Sequence, residues 1–230
     1  MTRDDLEKRN IDLMGENLGK QYTALFHEVA ALHLYWKEFI ELFGTNDKRI
    51  ERLNKAAPSF FRMLQEQQFE TNMSHLARLR DSPRSVGKPN LTVRSLPDLV
   101  SDSGLRDQLL THIDEVKRKT AFCRDWRNRR FAHHDLLLAT RHAQAKPLEA
   151  ATKEKFAEAL RAISDLLNAM ERFYHRGSCD FGAIAAHTHI TAPQPFYSSW
   201  DLACRDANRC KRSSPREISR LRLMRQKEFS

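Results

Sequence analysis

Phe156, Leu160, Ile163, Leu167, Met170 and Tyr174 step by four and three residues in alternation, the cleanest heptad-like pattern in the chain. That spacing lines one face of a helix and no face of a strand, so the segment, starting near Pro147 as a first helical residue, must bury a stripe against other helices. Leu25, Val29, Leu32, Trp36, Phe39 and Phe43 repeat the pattern and predict a helix over roughly residues 20–43, stopped by Gly44. A third stripe, Leu109, Ile113, Val116, Thr120 and Cys123, predicts a helix from about Ser103 to somewhere beyond Asp135. Between Asp47 and Arg80 apolar residues recur from Leu53 to Leu79, predicting helix with Pro58 either near its first turn or kinking it. Turn formers collect in residues 81–97, which read as a loop. Seven glycines and eight prolines in 230 residues leave little punctuation, and the expectation is an all-α bundle of four or more helices over residues 1–176.

After Gly177 glycine, proline, small and aromatic residues mix without a period, so residues 177–230 are expected to be an irregular appendage. It ends in Ser214-Pro215-Arg216-Glu217, a capping box that predicts a short basic helix to about Glu228. Residues 205–230 hold nine Lys or Arg against three acids, so most of the formal charge of +9 belongs to this tail. Arg212, Arg216 and Arg220 are candidate contacts for RNA phosphates, and a solvated tail or a helix docked on an acidic partner accounts for the charge equally well. No apolar run approaches the roughly 20 residues that span a bilayer, and the amino terminus lacks the apolar core of a signal peptide. A cytoplasmic protein without a membrane partner is expected. Four irregularly spaced cysteines are expected as free thiols. His187 and His189 with Cys179, Cys204 and Cys210 fit no common zinc spacing, so neither a metal nor a cofactor is expected. Glycine-rich phosphate loops, nucleophile elbows and paired-carboxylate motifs are lacking, leaving ATP hydrolysis and acyl transfer unsupported.

The stretch Trp126-Arg127-Asn128-Arg129-Arg130-Phe131-Ala132-His133-His134-Asp135 sets arginine, amide and imidazole within about two helical turns. An imidazole moves protons near neutral pH, and a guanidinium holds charge that builds on a phosphoryl oxygen. On a regular α-helix Arg127 and His133, six residues apart, would point about 120° from each other, flanking one face without stacking. His134 is nearly in line with Arg127, so either histidine could be the working one; His133 is preferred. Taken alone, the charge run reads first as the solvated end of a helix.

Arg-Asn, four residues, then histidine resembles the R-x(4–6)-H signature of the HEPN superfamily of all-helical domains. The wider context resembles its abortive-infection U-type branch: Glu41-Leu42-Phe43-Gly44, Asn54-Lys55-Ala56-Ala57-Pro58-Ser59-Phe60-Phe61, Leu76-Ala77-Arg78-Leu79-Arg80-Asp81 and Lys88-Pro89-Asn90-Leu91 occur in order before the motif. The resemblance covers roughly residues 20–175. It implies metal-independent RNA cleavage by attack of the ribose 2′-OH on the adjacent phosphate, in phage defence or as a toxin. Arg127, Asn128 and His133 would be catalytic: His133 moves protons, Arg127 neutralises the phosphorane, and Asn128 positions phosphate or histidine. His134 and Asp135 are candidate supports, and Asp135 is expected to cap or to pair with Arg129 or Arg130, the two further RNA-binding candidates. Trp126 and Phe131 are expected in the core. The implied partners are RNA, a second copy of the chain in a homodimer, and an antitoxin or defence-system protein. Where related toxins often carry a modifiable tyrosine two residues after the histidine, this chain has Asp135. The rival reading is a non-catalytic helical module that binds RNA, nucleotide or a protein.

Overall fold

A computed structural model describes residues 3–44 and 46–183, and within them the chain is a helical bundle with one two-residue hairpin. Its helices are α1 (Arg3–Met14), α2 (Glu16–Phe43), α3 (Asp47–Ala56), α4 (Pro58–Leu79), α5 (Leu96–Leu99), α6 (Ser103–Lys119), α7 (Ala121–Trp126), α8 (Leu136–Ala139) and α9 (Lys153–Tyr174). Strands β1 (Arg84–Ser85) and β2 (Lys88–Pro89) pair antiparallel between α4 and α5.

The core is built from the stripes the sequence announces. α2 buries Leu18, Tyr22, Leu25, Val29 and Leu32; α6 buries Leu105, Leu109, Ile113 and Val116; α9 buries Phe156, Leu160, Ile163, Leu167 and Met170. Trp36 of α2 stacks on Phe156 of α9, ring centroids 3.8 Å apart. α4 contributes only its second half: Met73, Leu76 and Leu79 are buried, whereas Phe60 and Met63 stay about half exposed. Beyond Gly177 the chain returns to the bundle at Phe181, which packs against Phe26 and His33.

Several boundaries differ from the sequence expectation. The 47–80 segment is two helices, because Ala57 leaves the helical region (φ −160°, ψ 77°) and Pro58, lacking an N–H, starts α4 as its first residue. Residues 81–97 hold more than loop: Val86 and Gly87 both take positive φ, as a tight two-residue hairpin turn requires, and α5 begins at Leu96. α9 starts six residues after Pro147, where Thr152 accepts from the Lys155 N–H. No apolar period announces α1. The predicted basic helix, its capping box, Arg212, Arg216, Arg220, His187, His189, Cys204 and Cys210 lie outside the described residues.

Candidate functional site

The motif is held on the bundle by its aromatic residues. Trp126 and Phe131 pack on Phe69 of α4 with centroids 5.3 and 6.3 Å away, and Trp126 Nε1 donates to Glu149 O at 2.7 Å. One turn earlier α7 buries Phe122 and Cys123, the latter with Sγ 3.7 Å from Met73 Sδ. With the apolar letters spent inward, the intervening polar letters turn toward the surface.

The expected continuous helix through Asp135 does not form. α6 ends at Thr120, whose hydroxyl donates to its own turn at Val116 O, 2.6 Å away. After α7 the backbone widens into a π-helical turn over Arg127–Ala132 and then stops. His133 caps it, His134 takes φ 33°, and the Asp135 N–H closes onto Arg129 O at 2.8 Å. Asp135 explains the stop: its carboxylate accepts from Leu137 N and Leu138 N at 3.0 and 3.2 Å, so it serves as the N-cap of α8. The 120° separation of Arg127 and His133 holds only for α-geometry, which this segment lacks.

Arg127 is ion-paired with Asp81, Nη1 to Oδ2 2.5 Å, and its Nε reaches Asn128 Oδ1 at 3.4 Å, leaving Nη2 without a partner among the described residues. Asp81 follows the end of α4 and stands out in the sequence only as the last letter of a stretch that resembles the family. The signal that points to it is physical: an arginine three-quarters shielded needs a carboxylate nearby. Arg129 is committed elsewhere. Its Nε binds Asp135 Oδ2 at 3.1 Å, its Nη1 lies 3.4 Å from Asp125 Oδ2, and its Nη2 donates to Lys146 O at 2.6 Å. The Asp135 carboxyl is held below its usual range, first by Arg129 and then by the backbone N–H donors of α8. Arg130, His133 and His134 are exposed, and their side chains make no hydrogen bond, ion pair or ring contact with a described residue.

A cleft of about 300 Å³ opens on the other side of Asp81, lined by Glu28, His75, Arg78, Asn90 and Leu91. Buried His75 sets Nε2 2.7 Å from Glu28 Oε2, in a contact too bent for a good hydrogen bond. The Glu28 carboxyl is held low chiefly by that histidine, against its own burial. Asn90 donates to Ser82 O at 2.8 Å and fixes the hairpin that closes the cleft. The stretches ending in Asp81 and in Leu91 thus line one cleft, and Asp81 joins it to Arg127.

A family model described as AbiU2, of the HEPN domains, matches residues 15–191. That span is wider than the 20–175 the motifs alone suggested, and it takes in Phe181. No curated protein and no solved structure matches the chain significantly.

Proposed function

The chain belongs to the AbiU2 family of HEPN domains, and from that membership we propose that it is an endoribonuclease of phage defence or a toxin, cleaving RNA without a metal. The observation that supports this reading most is the contrast within the motif. Arg127 is held in place by Asp81 with Nη2 still open, while the His133 imidazole, six residues on, is exposed and uncommitted. A fixed cation and a free imidazole are what transesterification at phosphorus uses. The 2′-oxygen attacks phosphorus and gives up its proton, the bond to the 5′-oxygen breaks, and that oxygen takes a proton as it leaves. The products are a 2′,3′-cyclic phosphate and a 5′-hydroxyl. His133 carries one of the two protons, Arg127 balances the charge on the phosphorane, and Asn128, bonded to Arg127, orients phosphate or imidazole. Arg130 adds a phosphate contact. Arg129 works as the clamp joining the π turn to Asp125, Asp135 and the 146–149 segment.

With His133 as the one working histidine of each motif, acid and base together call for a second copy, and a homodimer is part of the proposal. An antitoxin or defence-system protein is its expected regulator. The Arg127–Asp81 pair also favours a second reading, since a guanidinium already facing a carboxylate suits a binding module that has kept the fold without the chemistry.

Incubating wild type and His133→Ala with cellular RNA in EDTA decides between them. Cyclic-phosphate and 5′-hydroxyl ends made by wild type alone, from a species of about twice the 26.8 kDa chain mass, are expected. Equal or absent cleavage would leave the binding module.

A further inference from the structure

Arg94, Arg124 and Arg127 lie near enough to act on the charge of Arg80, with the carboxylate of Asp81 among them. Arg80 precedes Asp81 in the chain, and Arg127 bonds it directly at 2.5 Å. Arg124 lies one turn upstream of Arg127. Arg94 is brought in by Thr92, whose buried hydroxyl donates to both Leu79 O and Asp81 O at 2.8 and 2.9 Å and accepts from the Arg94 N–H at 3.3 Å. Arg80, Arg94 and Arg124 make no ion pair among the described residues. Arg80 is partly buried, and its pKa is lowered first by that burial and then by Arg124, Arg94 and Arg127, with Asp81 alone opposing.

Gathering like charges, Arg80 and Arg94 among them partly buried, opposes folding through their mutual repulsion. The arrangement becomes favourable when an anion arrives. Guanidinium forks match the oxygens of a phosphate, and an anion that meets several of them releases counterions. Arg124 is solvent-exposed, so the cluster opens outward and suits a strand running over the surface.

We propose that Arg80, Arg94 and Arg124 form an anion site beside Arg127 that holds a phosphate of single-stranded RNA flanking the scissile one. The identity of the ligand rests on the ribonuclease reading. The site itself does not require cleavage.

The test uses a 2′-O-methyl RNA oligomer, which has no free 2′-hydroxyl to attack and so reports binding alone. Its affinity is measured across a salt series for wild type, for R80Q/R94Q/R124Q, and for Arg62→Gln, a control on an exposed α4 pair with Glu66. The triple variant is expected to bind more weakly, with a log–log salt slope shallower by about 0.7, the value for the one phosphate charge it no longer neutralises. The control keeps the wild-type slope. Tripolyphosphate at constant ionic strength is expected to raise the melting temperature of wild type and not of the triple variant, which also shows that the variant folds. Wild-type affinity and slope in the triple variant, or no binding by wild type, would overturn the anion site. Binding that depends on the cluster with no cyclic-phosphate ends from unmodified RNA would overturn the ribonuclease reading and leave the site standing. Cleavage with undiminished affinity in the triple variant would do the reverse.

Discussion

Asp81 holds the arginine of the motif, and His134 turns the backbone where the π turn stops. Asp81 holds Arg127 through one bond at 2.5 Å. Asp81→Ala is expected to slow cleavage by about 10–100-fold, as a misplaced catalytic group does, and to lower stability by about 1–3 kcal/mol, because a guanidinium three-quarters shielded loses its partner. A folded variant that cleaves at the wild-type rate would show that Asp81 does not position Arg127. His134 sits at φ 33°, a region that costs a residue with a side chain roughly 1–2 kcal/mol. Glycine relieves that strain, so His134→Gly is expected to be as stable as wild type or more stable by about 1 kcal/mol in urea denaturation, and to go on cleaving. Loss of cleavage in that variant, with His133→Ala still active, would hand the chemistry to His134. The sequence placed both histidines beside Arg127 but could not choose between them by angle, because the choice depends on a π turn and a left-handed residue that no residue pattern announces. Asp135 was legible as a cap because its short carboxylate has donors two and three residues ahead.

At the scale of elements, whatever is apolar and periodic was legible, and whatever rests on a polar or close contact was not. α1 carries one fully buried residue, Asn10, and it is polar. Its docking depends instead on an Asn10 Nδ2 to Thr23 Oγ1 bond of 2.8 Å, a His175 contact to Asn10 at 2.9 Å, and a backbone approach at Gly19. A Cβ built there would lie 2.6 Å from Ile11 N, which backbone cannot yield without moving. Gly19→Ala is therefore expected to destabilise the protein by about 1–3 kcal/mol and to expose α1 to limited proteolysis ahead of the rest. Equal protection of α1 in the variant would mean that the helices can slide apart at no cost. The late start of α9 has a similar origin. Lys146 O and Glu149 O accept from Arg129 and Trp126 of the motif, so the segment around Pro147 is held as a strap against the π turn rather than wound into helix.

Across the whole molecule, α9 joins α2 and α6 into one core, and the chain beyond it comes back to that core through Phe181. The His33 imidazole lies between them, stacked on Phe181 with centroids 5.9 Å apart and bonded to Ser164 Oγ at 2.9 Å. Burial pushes its pKa down to about 4, against a weaker upward pull from Asp180. The folded state thus prefers neutral His33, and the unfolded chain binds the proton more readily. Stability from this group is complete above the unfolded value near 6.5 and is lost as pH falls from there toward 4, by up to roughly 3 kcal/mol. Urea denaturation at successive pH values is expected to show that slope in wild type and a flatter one in His33→Gln. Parallel slopes would mean that His33 is reached by water when charged.

A π turn is what an α-helix becomes when it absorbs one extra residue while both of its ends stay anchored. Here the anchors are Trp126 against Phe69 on one side and the Asp135 cap on the other. The number of letters between arginine and histidine is therefore a poor ruler for the distance between their side chains. A chain one residue shorter could run straight through the same two anchors and present the same pair, so a site kept in space has no need to be kept in spelling.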